Sequence, residues 1–254
     1  MRQESPKRPP DGIEWQAESL RMTAFPSPGS TLVEPPNWWE MAVGEPPENK
    51  VSQPKVGVIQ EQGRFSTGIL TLISQPGRID WLLTGSDKTE LVGLFEESLG
   101  TFVSLIVRWF ANAPVLQRIA FGAVLRLPVN DRTEGYQKLS GYLHHVELDP
   151  EGSTEFLFQI NRPRKSRSGN GTLSLNRLSK WSVVLAQQAT YTVQSPESAQ
   201  FQLMNLQKDH FCRLELDINT APDIEGDLPA NALPEIFNEL VELGREIARN
   251  GDIP

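Results

Sequence analysis

Half of the 20 prolines in this chain fall within residues 1–54, and six of them stand in adjacent pairs. Proline fixes φ and lacks a backbone donor, so helix interiors and central strands exclude it. We therefore predict a disordered tip at residues 1–10, a strand at residues 13–25 and then an extended segment that wraps the domain. Trp38 and Trp39 would anchor this wrap by packing. The competing interpretation is an exposed docking peptide for a partner.

After the proline-rich region, alternation of apolar and polar residues predicts antiparallel strands. A hairpin is predicted over residues 55–84, with Pro76 and Gly77 at the centre of a type II turn. Residues 116–129 form another alternating run, in which Gly122 is interpreted as the position of a bulge. Further strands are predicted at residues 156–160, 172–178, 181–193 and 211–219.

Apolar residues at helical spacing predict three helices, at residues 88–111, 132–146 and 233–250. An acidic pair three residues apart, Asp87 with Glu90 and Asp131 with Glu134, stands at the start of each of the first two, which is a helix-start pattern, and Gly251 marks the end of the third. These patterns predict a single α+β domain over residues 11–254. Its architecture would be a large, mostly antiparallel twisted sheet of about seven or eight strands, three helices on one face and the proline-rich N-terminal wrap.

Composition narrows the function classes. Cys212 is the single cysteine, so no intramolecular disulfide is predicted. With only three histidines besides, the chain has few of the side chains that usually bind metal ions or haem iron. No run reaches the roughly 18 apolar residues of a membrane helix, and the N-terminus lacks the apolar stretch of a signal peptide. We therefore expect a cytoplasmic protein with no cofactor and no membrane partner. Nucleotide-binding, serine-hydrolase and zinc-protease motifs are missing, so an enzyme is not predicted.

Two groups of residues keep catalysis open as an alternative. Glu215 and Asp217 stand two apart in a predicted strand and share one face, where carboxylates can bind Mg²⁺ or act as acid and base. A solvated strand face is the favoured interpretation. His210 and Cys212 are also two apart, but Cys212 lies in register with apolar residues and is predicted to point into the core.

Charge is distributed unevenly along the chain. Residues 156–196 contain no Asp or Glu, whereas the chain as a whole carries a net charge of −8 and the remainder outside this stretch is −14. The sequence therefore predicts a basic hairpin that projects from an acidic body. The predicted binding residues of this basic segment are Arg162, Arg164, Lys165, Arg167, Arg177 and Lys180.

The basic segment favours a non-catalytic binding or assembly protein. An acidic protein surface would complement it, and residues 213–254 of a second copy, with a net charge of −7, provide one such surface. Nucleic acid is the alternative partner, because guanidinium groups bind phosphates well, although the acidic body would repel them. A third alternative is a metal-dependent enzyme that uses Glu215 and Asp217. The plainest alternative is a polar loop without a partner.

Several motifs resemble a sporadically distributed, uncharacterised family of bacterial proteins of similar length. They are LRMTAFP at residues 20–26, PGRIDW at 76–81, RIAFGAVLR at 118–126 and LELDIN at 214–219, together with Trp39 and GEPP at 44–47. The chain departs from the family pattern at residues 124–128, where VLRLP lacks the expected tyrosine. The resemblance implies an accessory protein of a mobile or defence locus and supplies no catalytic residues.

Overall fold

The computed structural model describes residues 14–28, 37–86, 91–168, 173–193, 201–222 and 226–253, with the backbone alone for residues 188–193 and 201–207. The predicted tip at residues 1–10 lies outside these ranges. Eleven strands are described: β1 (Gln16–Pro26), β2 (Asn49–Gln53), β3 (Val58–Phe65), β4 (Gly68–Gln75), β5 (Arg78–Thr84), β6 (Gly93–Leu94), β7 (Leu116–Val129), β8 (Leu157–Asn161), β9 (Arg164–Lys165), β10 (Ser174–Val193) and β11 (Phe201–Thr220).

All described strands belong to one open antiparallel sheet. Its order is β2-β3-β4-β5-β1-β7-β11-β10-β8, while β6 pairs with β1 and β9 pairs with β10. This confirms the predicted α+β class with a large antiparallel sheet, although eleven strands exceed the predicted seven or eight. The four described helices are α1 (Trp38–Val43), α2 (Phe95–Phe110), α3 (Arg132–Ser140) and α4 (Leu233–Asn250).

The four helices pack on the same face of the sheet. Trp81, Met22 and Phe121 lie side by side on neighbouring strands and mark this face. Trp39 of α1 and Trp109 of α2 contact the Trp81 ring. Gly244 of α4 lies against Phe121, and α3 packs further along the same face through its contact with Val183 of β10.

Local sequence signals place several elements correctly. Strand β7 has the predicted bounds, and α4 ends before Gly251, whose φ of +81° interrupts the helix. Gly77 has a φ of +74°, as a type II turn requires at its third position. The Asp131 carboxylate accepts a hydrogen bond from the Glu134 backbone N–H, which confirms the predicted helix start.

Other boundaries differ from the predicted ones. Helix α2 begins at Phe95 rather than at residue 88, because Gly93 has a φ of +138° and pairs with β1 as part of β6. The acidic pair at residues 87–90 lies outside the described ranges. Helix α3 ends at Ser140 rather than at residue 146 and is followed by turns. The two strands predicted at residues 172–178 and 181–193 form the single strand β10.

From residue 37 on, the described part of the proline-rich region is a short helix followed by a strand, whereas an extended wrap was predicted. Trp38 and Trp39 lie on α1 between proline pairs, and each is 1% exposed. The Trp38 indole donates to the Asn112 carbonyl at 3.0 Å, and Trp39 stacks on Trp81 with ring centres 6.1 Å apart. Their burial agrees with the packing interpretation.

Candidate binding surface

The structure divides the six predicted basic residues between the two sides of the sheet. Arg162, Arg164 and Arg177 lie on the helix side, where they face the end of α4 and the residues after it. Lys165 and Lys180 lie on the opposite side, at positions in register with Ser174 and Glu215. Arg167 follows β9, and its backbone N–H donates to Glu239. These six residues therefore do not form one continuous patch.

The helix-side arginines are bound within the chain. Arg162 forms a bidentate ion pair with Asp252, with N–O distances of 2.5 and 2.7 Å. Arg177, 7% exposed, donates to the carbonyls of Arg162 and Ile253, and burial lowers its pKa. Acidic residues of the same molecule thus neutralise part of the basic segment.

Glu239 of α4 holds the loop that follows β9. Its carboxylate accepts hydrogen bonds from the Ser166 hydroxyl at 2.6 Å and from the backbone N–H groups of Arg167 and Ser168 at 2.9 and 3.0 Å. Burial alone would raise the pKa of Glu239, but these hydrogen bonds outweigh it and the pKa lies below its usual value. The loop backbone is therefore fixed to the helix up to Ser168.

The face of the sheet opposite the helices has no described helix packed on it, and we call it the open face. Along the described strands it carries eight basic and five acidic residues. This excess of three positive charges contrasts with the net charge of −8 for the protein. The basic residues are Arg21, Arg64, Arg78, Arg118, Arg126, Lys165, Lys180 and Arg213, and the acidic residues are Glu18, Asp80, Asp209, Glu215 and Asp217.

Arg21 occupies the centre of the open face. It lies directly across from Gly122 on β7, which in turn faces Asp217 on β11. The Nε and Nη2 atoms of Arg21 would lie 3.3 and 3.4 Å from a Cβ at Gly122, so the glycine leaves room for the guanidinium. Strand register is continuous through Gly122 on both sides, which contradicts the predicted bulge. Arg21 forms no ion pair with any described residue.

Hydrogen bonds fix the polar groups around Arg21. Asp80 accepts from Arg78 Nε and from the Thr23 hydroxyl, each at 2.6 Å. Asp217 accepts from the Asn219 amide at 2.9 Å. A row of asparagine side chains continues this chain of hydrogen bonds across β10 to β8, through Asn176 and Asn161. The neighbours of Arg21 are thus held by contacts with one another.

A second charged group lies beside this centre. Glu18 pairs with Arg126 at 2.5 Å and with Arg213 at 3.7 Å, while Glu215 pairs with Lys180 at 3.1 Å and with Arg213 at 3.6 Å. Glu215 and Asp217 do share a face, as predicted. The described residues contain no cluster of three His, Cys, Asp or Glu suited to a metal ion.

Cys212 lies in the core, as predicted. Its side chain is fully buried, and its Sγ–H donates to the Gly135 carbonyl at 3.4 Å. Burial raises the pKa of this thiol to about 12, which keeps it protonated near neutral pH.

We expect Cys212 to resist thiol reagents in the folded protein, because both burial and protonation suppress the reactive thiolate. Labelling with a chromogenic disulfide at mildly alkaline pH should be slow in buffer and should reach one thiol per chain in concentrated urea. Rapid labelling of the native protein would contradict the core position.

No protein-family model matches this chain, and a search of curated proteins finds no match either. The resemblance to a bacterial family therefore stays a prediction. Among the described helices, none combines the length and apolar character needed to cross a membrane. Sequence reasoning missed Arg21, although a glycine inside a strand is a known sign of close approach by another group.

Proposed function

We propose that this protein is a non-catalytic binding protein whose open face takes up an acidic segment of a partner protein. The observation that carries the proposal is the Arg21 guanidinium, which lies over Gly122 without an ion-pair partner among the described residues. It stands on a face with excess positive charge in an acidic protein. A partner carboxylate would supply a counter-charge that no described residue gives to Arg21.

Arginine predominates among the basic residues of the open face, and its planar fork binds carboxylates in a bidentate manner. Two of these guanidinium groups lie over aromatic rings. Arg118 is 5.0 Å from the centre of the Phe25 ring, and Arg126 is 4.5 Å from that of Phe211. Such stacking restricts the side chains before binding, which lowers the entropic cost of ordering them.

The same surface is less suited to nucleic acid. Glu18, Glu215 and Asp217 lie among the basic residues and would repel phosphates. The Phe25 and Phe211 rings are covered by guanidinium groups, so they are not free to stack on bases. An acidic protein segment, which forms discrete contacts with single arginines, fits this alternation of charge better. Lys180 belongs to this surface as well as to the predicted basic set.

The change Arg21→Glu tests this proposal. Binding of a fluorescein-labelled oligoglutamate peptide, measured by anisotropy at low salt, should weaken by about tenfold or more, because an attractive contact becomes repulsive. Arg108→Glu is the matched control: it makes the same charge change on an exposed position of α2, on the helix side. It should weaken binding far less.

Equal effects of the two variants would show that net charge alone governs binding and would overturn the assignment to the open face. Unchanged binding by Arg21→Glu would do the same. A parallel titration uses single-stranded DNA in place of the peptide. If the wild-type protein bound this DNA more tightly than the peptide, and Arg21→Glu abolished DNA binding, the partner would be nucleic acid and not an acidic protein segment.

A further inference from the structure

One row of side chains that crosses the open face is complementary to itself. The strand register aligns one residue from each of seven neighbouring strands, and Gly122 of β7 is the middle one. On the two sides of this glycine the same kinds of side chain follow in the same order, except that the first positions carry opposite charges. From β4 to β8 the row is Thr71, Leu82, Arg21, Gly122, Asp217, Leu178 and Asn161.

The two charges of this row have no ion-pair partner among the described residues. Asp217 accepts a hydrogen bond from the Asn219 amide, but like Arg21 it forms no ion pair there. Neighbouring strands lie about 4.8 Å apart, so the backbones of Arg21 and Asp217 are separated by about 10 Å, with Gly122 between them. Both side chains are half-buried and keep accessible surface. Each can therefore accept an opposite charge from a second molecule.

We infer that the partner of the open face is a second copy of this chain, packed through the same face around a two-fold axis that runs along β7 over Gly122. The inference names the partner in the proposed function and rests on that proposal. Rotation about this axis exchanges the two sides of the row. Arg21 of each copy then faces Asp217 of the other, and Leu82 of each copy faces Leu178 of the other.

The axis strand permits the two sheets to approach each other. Its open-face residues near the axis are Ala120, Gly122 and Val124, whose side chains are small. Two sheets that pack face to face lie about 10 Å apart with their strands nearly aligned, and an axis parallel to β7 gives that alignment. Close approach over Gly122 leaves the space in which each arginine can reach the carboxylate of the other copy.

The area of this contact is sufficient for a specific dimer. Strands β5, β1, β7, β11 and β10 lie side by side, and β1 pairs with β5 over six positions. At ordinary strand spacing, this part of the open face covers roughly 500 Å² per copy, or about 1,000 Å² in total. Specific interfaces begin near this size, so we expect a dimer that forms at micromolar concentration.

Charges outside the central row are compatible with the same rotation. In the next row, Ser19 of one copy would face Glu215 of the other, so no like charges meet there. Arg118 and Arg126 lie on the axis strand itself, about 13–14 Å on either side of Gly122, and therefore at the rim of the contact. Arg126 is already paired with Glu18 at 2.5 Å, and solvent screens charges at a rim.

Size-exclusion chromatography with light scattering tests the dimer directly. At high micromolar concentration, the wild-type mass should be twice 28.4 kDa. Arg21→Glu and Asp217→Arg should each be monomeric, because like charges then face each other at both central contacts. An equimolar mixture of these two variants should recover the dimer mass, and so should the double variant, because every facing pair again has opposite charges. Arg108→Glu, on an exposed position of the helix side, is the matched control and should remain dimeric.

A monomeric wild-type protein would overturn the inference. Single variants that remain dimeric would do the same, as would a double variant that is monomeric with a native circular dichroism spectrum. Excess oligoglutamate peptide supplies a measurement on the wild-type protein that does not depend on variant folding. It should convert the dimer to monomers, because it competes for Arg21. A dimer that stays intact while the peptide is bound would also overturn the inference.

These measurements separate a failure of the inference from a failure of the proposed function. A monomeric protein whose peptide binding is weakened by Arg21→Glu would keep the proposed function and assign the open face to a different acidic protein. Recovery of the dimer in the double variant, together with peptide binding that Arg21→Glu leaves unchanged, would support the dimer. That second result would overturn the uptake of a free acidic segment.

Discussion

The substitution Trp109→Ala is expected to lower the free energy of unfolding by about 3–5 kcal/mol, the range for truncation of a large buried aromatic side chain. Trp109 has no exposed surface. Its ring lies 5.9 Å from Trp38, 6.2 Å from Trp81 and 5.5 Å from Phe110, measured between ring centres. The change would leave a cavity where α1, α2 and the sheet meet, and the close packing around it limits how far that cavity can collapse.

Trp109→Phe is the matched control for this prediction. The Trp109 indole N–H has no acceptor among the described residues, so phenylalanine removes volume without breaking a described hydrogen bond. We expect this variant to lose about 1–2 kcal/mol, well below the alanine variant. Urea unfolding followed by far-ultraviolet circular dichroism measures both losses. A loss under about 1 kcal/mol for the alanine variant would show that this cluster contributes little.

Asp252→Ala is expected to destabilise the protein by about 3 kcal/mol, because removal of one partner from a mostly buried ion pair leaves the other charge uncompensated. The Asp252 side chain is 5% exposed, and its bidentate partner Arg162 is 26% exposed. Arg177 lies next to this pair and donates to the Arg162 carbonyl, so the arginines would then lie close together with less counter-charge.

Glu242→Ala supplies the control for Asp252→Ala. Glu242 pairs with Arg245 on the exposed surface of α4, and its side chain is 61% exposed. Exposed ion pairs contribute about 0–1 kcal/mol, so we expect a small loss. Chemical unfolding of both variants in the same buffer compares them. Equal losses would contradict the structural role of Asp252 and would leave Arg162 free to serve as the predicted contact residue.

Elements governed by short-range patterns could be predicted from the sequence. The alternation that defines β7, the Pro76–Gly77 turn and the apolar stripe of α4 each depend on residues within a few positions of one another. The start of α2 could not be predicted in this way. Gly93 pairs with Ala17 of β1, and this distant contact holds the chain extended where its helical pattern has begun.

The candidate surface was predictable only in part, for a similar reason. Charge counting identified the basic segment, including Lys180, but gave no sign that Asp252 binds Arg162 from 90 positions away. Alternation predicted that Glu215 and Asp217 share a face. The position of Arg21, which has no ion-pair partner among the described residues, arises from the register of three strands, β1, β7 and β11, which no local pattern specifies.

The central position of β1 has a consequence for the order in which the molecule is built. Leu20 pairs with Leu83 on one side and with Ala123 on the other, which are 63 and 103 residues further along the chain. During synthesis, β1 must therefore wait for both partners, while the meander of β2 to β5 can form from neighbouring segments. Closing these long loops costs conformational entropy before most of the stabilising contacts between the paired strands have formed. Insertion of β1 is therefore expected to be a late and slow step in folding.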